Sequence, residues 1–396
     1  MQIGGVMNKE DTTEEPSELV ATKPATRRAG PGKKTVFAML SVVLILLILE
    51  GLSSALLLPM EYSDWASGKK SRVVAEDKHV QYDADLGWSH IPGTKIKNMY
   101  GEGRDLTINA RGFRDHREIV DLKEDEYRLI FLGDSFTLGF GVGDQHTIGM
   151  QLEGLGRGVR TLNLGQGGYG IDQAFLWYKR DASDIETDWV IFQFIGPDFL
   201  RTAQDRFVSG YHKPLFVVED GALTLTNVPV PERLKPGSEL IHPGAKARYF
   251  RSKIALTRLL DRMLGRQAGE QSALKDQYAR GVEISCLIFK EMQKISAAQN
   301  KKVLFVYIPT LWDFERRNSE IGQMCAEAVD GFCRKNNLPF YNLLPEVAAL
   351  AEDERIALYL GAENHLGEAG TRYVAEKLDE VLMNMDPQYG LLVNAR

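Results

Sequence analysis

From residue 126 onward, short apolar runs alternate with longer segments whose apolar positions recur every three or four residues. The runs fall at 128–133, 159–164, 188–195, 302–308 and 339–343 and have strand length. The longer segments, 147–154, 171–180, 282–299, 318–335 and 367–384, have the period of amphipathic helices. Runs such as VIFQFIG (190–196) are apolar almost throughout, which fits strands buried on both faces. The alternation predicts an α/β fold: a three-layer α/β/α sandwich around a five-stranded parallel sheet. An insertion at about 200–280 separates the third and fourth strands. It contains LFVVEDGALTLTN (215–227), two alternating runs joined at Asp220-Gly221, which reads as a β-hairpin.

The N-terminal part has another pattern. Residues 1–34 are polar and proline-bearing, a tail expected to be disordered. VFAMLSVVLILLILEGLSSALLLP (36–59) is long enough for a bilayer, which takes about 20 apolar residues. Residues 35–59 are therefore expected to form a transmembrane helix, with a lead-in at 60–125 and the sandwich domain at 126–386. Lys23, Arg27, Arg28, Lys33 and Lys34 precede the span without an acid among them, which puts the N-terminus in the cytoplasm. Glu50 is costly at that depth. The run 36–49, followed by Ser53-Ser54-Ala55, also fits a cleaved signal peptide. The long N-terminal region and Leu56 to Leu58 favour an anchor. Under either reading the main domain is exported, so a bacterial chain would hold it outside the inner membrane.

Composition excludes some classes. The net charge of −6 gives no basic face for nucleic acid. No two of the seven histidines stand three or four apart, so no helix presents a metal pair, and no metal or cofactor is expected. Cys286, Cys325 and Cys333 lack zinc-site spacing. Cys325 and Cys333 fall on one helix about 12 Å apart, too far to bridge, and read as buried free thiols.

In an open parallel sheet, ligands bind at the carboxyl ends of the strands. Three segments meet there: GDSFTLGFG (133–141), NLGQGGYG (163–170) and IPTLWDF (308–314). The first lacks the lysine of a P-loop, and its glycines lack dinucleotide spacing. Ser135 is instead a candidate nucleophile. That role needs a base, an orienting acid and oxyanion donors. His365 precedes the last helix, and Glu363 lies two residues earlier, on the same side if the stretch is extended. A lone histidine there could equally be a cap or a packing residue.

Taken together, these blocks resemble the SGNH/GDSL hydrolase family over about residues 126–386. Gly133-Asp134-Ser135 matches its GDS block, Asn163-Leu164-Gly165-Gln166-Gly167-Gly168 its glycine block, and Glu363-Asn364-His365 its C-terminal acid and histidine. ADLGWSHIPGT (84–94) and INARGFRD (108–115) are similar to the N-terminal extension of membrane-anchored bacterial members. The resemblance implies a flavodoxin-like sandwich. It implies Ser135 as nucleophile, His365 as base, Glu363 as its orienting acid, and the Ser135 and Gly168 N–H groups as oxyanion donors. It also implies O-acyl groups of cell-surface polysaccharide as substrates for tethered members. Two departures stand out. Glutamate replaces aspartate at 363, which is mild. Pro197 stands where the family has a donating asparagine, and proline offers no donor at all. Gln193 lies about 13 Å back along its strand, too far to substitute.

The leading expectation is thus an extracytoplasmic serine-dependent esterase or O-acyltransferase. The alternative is a catalytically weak binding or scaffold module of an envelope polysaccharide assembly. Tyr169, Trp312 and Phe314 fall on strand-end loops, where they could stack on a sugar or pack the loops.

Overall fold

A computed structural model of the chain describes residues 32–66, 78–120, 126–156, 158–207, 211–232, 254–263, 266–314, 319–361 and 364–394. Nearly all of the polar tail, parts of the lead-in and the middle of the insertion lie outside the described residues.

Helix α1 (Lys33–Ala66) contains the predicted span. Its segment Lys33–Leu56 has a mean hydropathy of 2.5. Apolar side chains from Val36 to Leu49 are exposed all round, the pattern of a span or a signal sequence rather than of a core helix. The chain divides after Leu52, and Ser53–Arg396 forms the second unit.

In that unit the lead-in makes two antiparallel ribbons, β1 (Val80–Asp83) with β2 (Gly87–His90) and β3 (Lys95–Ile96) with β4 (Leu106–Thr107). The sandwich then runs β5 (Tyr127–Gly133), α2 (Ser135–Leu138), α3 (Ile148–Glu153), β6 (Val159–Gly165), α4 (Ile171–Asp181), β7 (Trp189–Phe194) and α5 (Gly196–Thr202). The hairpin β8 (Leu215–Glu219) and β9 (Ala222–Thr226) follows, then α6 (Ala255–Met263) and α7 (Arg266–Ala297). The chain ends with β10 (Lys302–Tyr307), α8 (Ser319–Lys335), β11 (Phe340–Asn342), α9 (Leu344–Ala349), α10 (Glu352–Ala357), α11 (Glu368–Met385) and α12 (Pro387–Asn394).

The five-stranded sheet is parallel, in the order β11-β10-β7-β5-β6. This is the flavodoxin-like order, with its switch point at β5, which pairs on either side with the strands that follow it. Side-chain alternation splits the core into two layers. Ile130, Leu132, Phe192 and Phe305 face α4, α7 and α8. Leu129, Phe131, Ile191 and Leu304 face α3 and α11. The expected hairpin is present, and Asp220 (φ 50°) and Gly221 (φ 77°) take the left-handed pair that a tight two-residue turn requires. The helix expected at 282–299 begins earlier, at Arg266. Residues 266–281 are mostly strong helix formers, Gly269 and Gly281 aside, and largely polar, so propensity carries a segment that apolar periodicity does not reveal.

All three cysteines are free and buried, and burial pushes their thiols up to about 12.

The lead-in packs on the sandwich. The buried Arg114 guanidinium donates to the carbonyls of Leu138 (2.7 Å), Gly139 (2.6 Å) and Val142 (2.7 Å), which fastens the turn after Ser135. His90 Nε2 lies 3.1 Å from the Gly165 carbonyl, and His90 Nδ1 lies 3.2 Å from His79 Nδ1. The carbonyl can only accept, so His90 carries its proton on Nε2, and His79 Nδ1–H donates to His90 Nδ1. These roles hold with both rings neutral, the form that burial favours. Burial, and then the Arg114 charge, lowers His79 to about 4; burial, and then His79, lowers His90 to about 3. Below about pH 6.5 the unfolded chain binds protons that the folded chain refuses. Stability from this pair is present above that pH and is lost as pH falls towards 4. The melting temperature is expected to drop over this window, and His79→Gln should shrink the drop. An equally steep acid limb in the variant would place its origin elsewhere.

Candidate active site

The switch point carries the candidate site. β5 ends at Gly133, and Asp134 caps α2 by accepting the Phe136 N–H at 2.8 Å. Ser135 is the first residue of that single helical turn. The turn is held from below. Asn163 Nδ2 donates to the Thr137 carbonyl at 2.8 Å, and Thr137 Oγ1 donates to Gln193 Oε1 at 2.9 Å. Gln193 thus spends its side-chain oxygen on the turn that carries Ser135. β6 passes so close that a Cβ on Gly165 would lie 2.0 Å from the Leu138 nitrogen, so only glycine fits there.

Ser135 Oγ lies 2.9 Å from His365 Nε2, across 230 residues of chain. The imidazole sits against Phe136 and Phe140, with ring centroids 5.2 and 4.4 Å away. Its loop is pinned where the Leu311 N–H donates to Asn364 Oδ1 at 2.6 Å and the Leu360 N–H donates to the His365 carbonyl at 2.8 Å. At Asn364 the backbone is not extended. Asn364 has φ 56°, a left-handed residue that turns the chain, and asparagine tolerates that conformation. Glu363 lies outside the described residues.

The register pairs Gly133 with Gly165, so Ser135 and Gly168 emerge from adjacent strand ends. Gly168 has φ +77°, and a Cβ there would stand 2.9 Å from the Phe207 ring. Among the described residues neither the Ser135 nor the Gly168 N–H donates a hydrogen bond. Two unengaged donors on adjacent strand ends are what a minimal oxyanion site would require.

Sequence reasoning missed Arg201. Its Nη1 donates to Asp134 Oδ2 (2.9 Å), Asp198 Oδ1 (2.6 Å) and the Tyr169 carbonyl (3.3 Å). It ties the Ser135 turn, α5 and the glycine loop together. Burial first, and the Asp134 charge second, push the Asp198 carboxyl well above its usual range. The available signal was spacing, because Asp198 and Arg201 are one helical turn apart.

Pro197 occupies the first turn of α5, where its missing N–H removes no helical bond. It helps line a cleft of about 220 Å³ together with Leu274, Tyr278, Thr310, Trp312, Asp313 and Ile321. Trp312 is 48% exposed there. The other two aromatic candidates pack instead. Tyr169 is fully buried, its hydroxyl donating to the Trp88 carbonyl, so it cannot stack on a ligand. Phe314 is half-buried against the core, with the Arg355 guanidinium 4.6 Å above its ring.

No protein-family profile matches the sequence, and no curated protein matches it. Solved structures do align. A member of the lipolytic protein G-D-S-L family from Veillonella parvula is 12% identical, covers 65% of this chain and 98% of its own, and has a TM-score of 0.36. A GDSL-like lipase from Bacteroides thetaiotaomicron is 12% identical, with coverages of 67% and 93% and a TM-score of 0.36. An acetylxylan esterase from Geobacillus stearothermophilus is also 12% identical, with coverages of 65% and 95% and a TM-score of 0.36. The fold itself, a five-stranded parallel sheet between helical layers, follows from the strand order above.

Proposed function

We propose that this chain is a membrane-tethered, extracytoplasmic ester hydrolase or O-acyltransferase working through an acyl-serine. The observation that carries the reading is the 2.9 Å approach of His365 Nε2 to Ser135 Oγ at the switch point of the sheet. Ser135 Oγ attacks the acyl carbonyl while its proton passes to His365 Nε2. The carbonyl oxygen, now negative, is held by the Ser135 and Gly168 N–H groups. The C–O bond to the alcohol breaks, and the alcohol leaves with the proton from His365. Water, or a sugar hydroxyl, then gives its proton to His365 and bonds to the acyl carbon; the acyl–Oγ bond breaks, and His365 returns the proton to Ser135 Oγ. Glu363 is the proposed orienting acid. The half-exposed Trp312 supports an acylated sugar as substrate, since an indole face suits a pyranose. Turnover of p-nitrophenyl acetate by the purified protein tests the reading.

Pro197 favours one second reading, a site short of a donor and slow by design. A missing oxyanion donor typically costs about a hundred- to a thousandfold. Pro197→Asn is expected to raise kcat on simple esters at least about tenfold with little change in KM, because the added donor acts in the transition state. A folded variant that is no faster would mean the native hole is complete and Pro197 serves the cleft.

The tether reading rests on the apolar helix and its basic N-terminal flank. A reporter active only in the cytoplasm, fused at the C-terminus, is expected to stay silent. Strong signal from it would place the domain inside.

A further inference from the structure

Building on that reading of Ser135 and Gly168, we propose that Trp88, in the lead-in hairpin, is a positioning residue that aims the Gly168 N–H at the reacting oxygen. Its indole Nε1–H donates to the Gly167 carbonyl at 3.0 Å in a buried contact. That carbonyl and the Gly168 N–H belong to one peptide plane. The bond is trans, so the two groups point in opposite directions. Whatever fixes the carbonyl fixes the N–H.

The plane needs fixing. It joins two glycines, the second at φ +77°, and glycine turns its backbone at little steric cost. The Gly168 N–H has no partner of its own among the described residues. Trp88 therefore holds the peptide by its far side and leaves the N–H facing away, unengaged.

The hold is reciprocal. While Trp88 grips the backbone of 167, the Tyr169 hydroxyl donates to the backbone carbonyl of Trp88. The indole is wedged among Tyr169, Tyr211 and Phe207, with centroids at 5.4, 5.3 and 5.8 Å. Phe207 is the ring that Gly168 approaches. The next turn of the lead-in is fastened too, through Gln173 Nε2 donating to the Leu86 carbonyl at 2.7 Å. The lead-in thus shapes one wall of the oxyanion site without supplying a group to it.

The test uses the full chain in detergent. Trp88→Phe keeps an aromatic plug and removes the N–H. Replacing Trp88 by 3-benzothienylalanine keeps the indole's shape and puts sulfur in place of the N–H. Active sites are titrated with a fluorophosphonate, and kcat per titrated site is measured on p-nitrophenyl acetate. Both variants are expected to lose at least about tenfold in kcat per site with KM nearly unchanged, since one misaimed donor acts in the transition state. The acid limb of the pH profile, which belongs to His365, should not move. A benzothienyl variant with wild-type kcat per site would show that Trp88 only packs, and would overturn the proposal. In parallel, the Gly168 amide is followed by NMR in glycine-labelled protein. Its resonance is expected to shift, and its exchange with water to quicken, in both variants. If the wild type neither labels nor turns over, the esterase reading falls. The clamp is then decided by the amide, and an unshifted Gly168 resonance in the benzothienyl variant would overturn it.

Discussion

Ser135→Ala is expected to leave a folded protein whose ester turnover is lower by roughly 10⁴- to 10⁶-fold, the usual cost of removing a member of a serine–histidine unit. The substitution removes one oxygen from a residue only 4% exposed, in a turn that Asp134, Asn163 and Gln193 support independently. Circular dichroism and melting temperature should therefore be nearly unchanged. His365→Ala should cost about as much, and the double variant little more, because serine and imidazole act as one unit. In the wild type, kcat/KM should fall on acidification, since an Nε2 that already carries a proton cannot take one from Ser135. Additive losses in the double variant would mean that the 2.9 Å contact is not the catalytic one.

Gly168→Ala is the second large effect. The residue sits at φ +77°, where an L side chain costs roughly 1–2 kcal/mol, and its new Cβ would meet the Phe207 ring at 2.9 Å. Either the Phe207 ring or the backbone must give, and the left-handed strain favours the backbone, which carries the N–H with it. Loss of one oxyanion donor predicts a fall in kcat of about 10²- to 10³-fold, with KM largely kept. The double variant Gly168→Ala/Phe207→Ala removes the ring but not the left-handed strain, so it separates crowding from backbone preference. A kcat within about threefold of wild type in the single variant would remove Gly168 from the oxyanion site.

The sheet was legible because its strands are buried on both faces. Leu129 to Leu132 and Val190 to Phe192 leave no polar phase to confuse strand with loop, and each run fell where a strand formed. The helix from Arg266 was only half legible, because among the described side chains before Val282 only two hydrophobic ones, Leu274 and Tyr278, pack on the core. Ser135 and His365 could be paired from the sequence because each falls on a strand-end loop and the parallel order brings those ends together. Three things were not legible. Asn364 turns left-handed, and nothing local distinguishes that from an extended step. Tyr169 points inward because the lead-in covers it, a contact spanning 81 residues. The Arg201–Asp134 contact spans 67 residues and the Trp88–Gly167 contact 79, so only the folded arrangement makes them neighbours. The Tyr169, Arg201 and Trp88 misses are long-range contacts that no local pattern carries.

The central claim is that Ser135 is an activated nucleophile, and covalent labelling reads this without knowledge of the natural substrate. The purified full-length protein is incubated with a fluorophosphonate probe, and the modified residue is located by peptide mass analysis. Near-stoichiometric labelling at Ser135 is expected, abolished by Ser135→Ala and strongly slowed by His365→Ala. A folded wild-type protein that stays unlabelled, or a Ser135→Ala variant that labels as well as wild type, would contradict it.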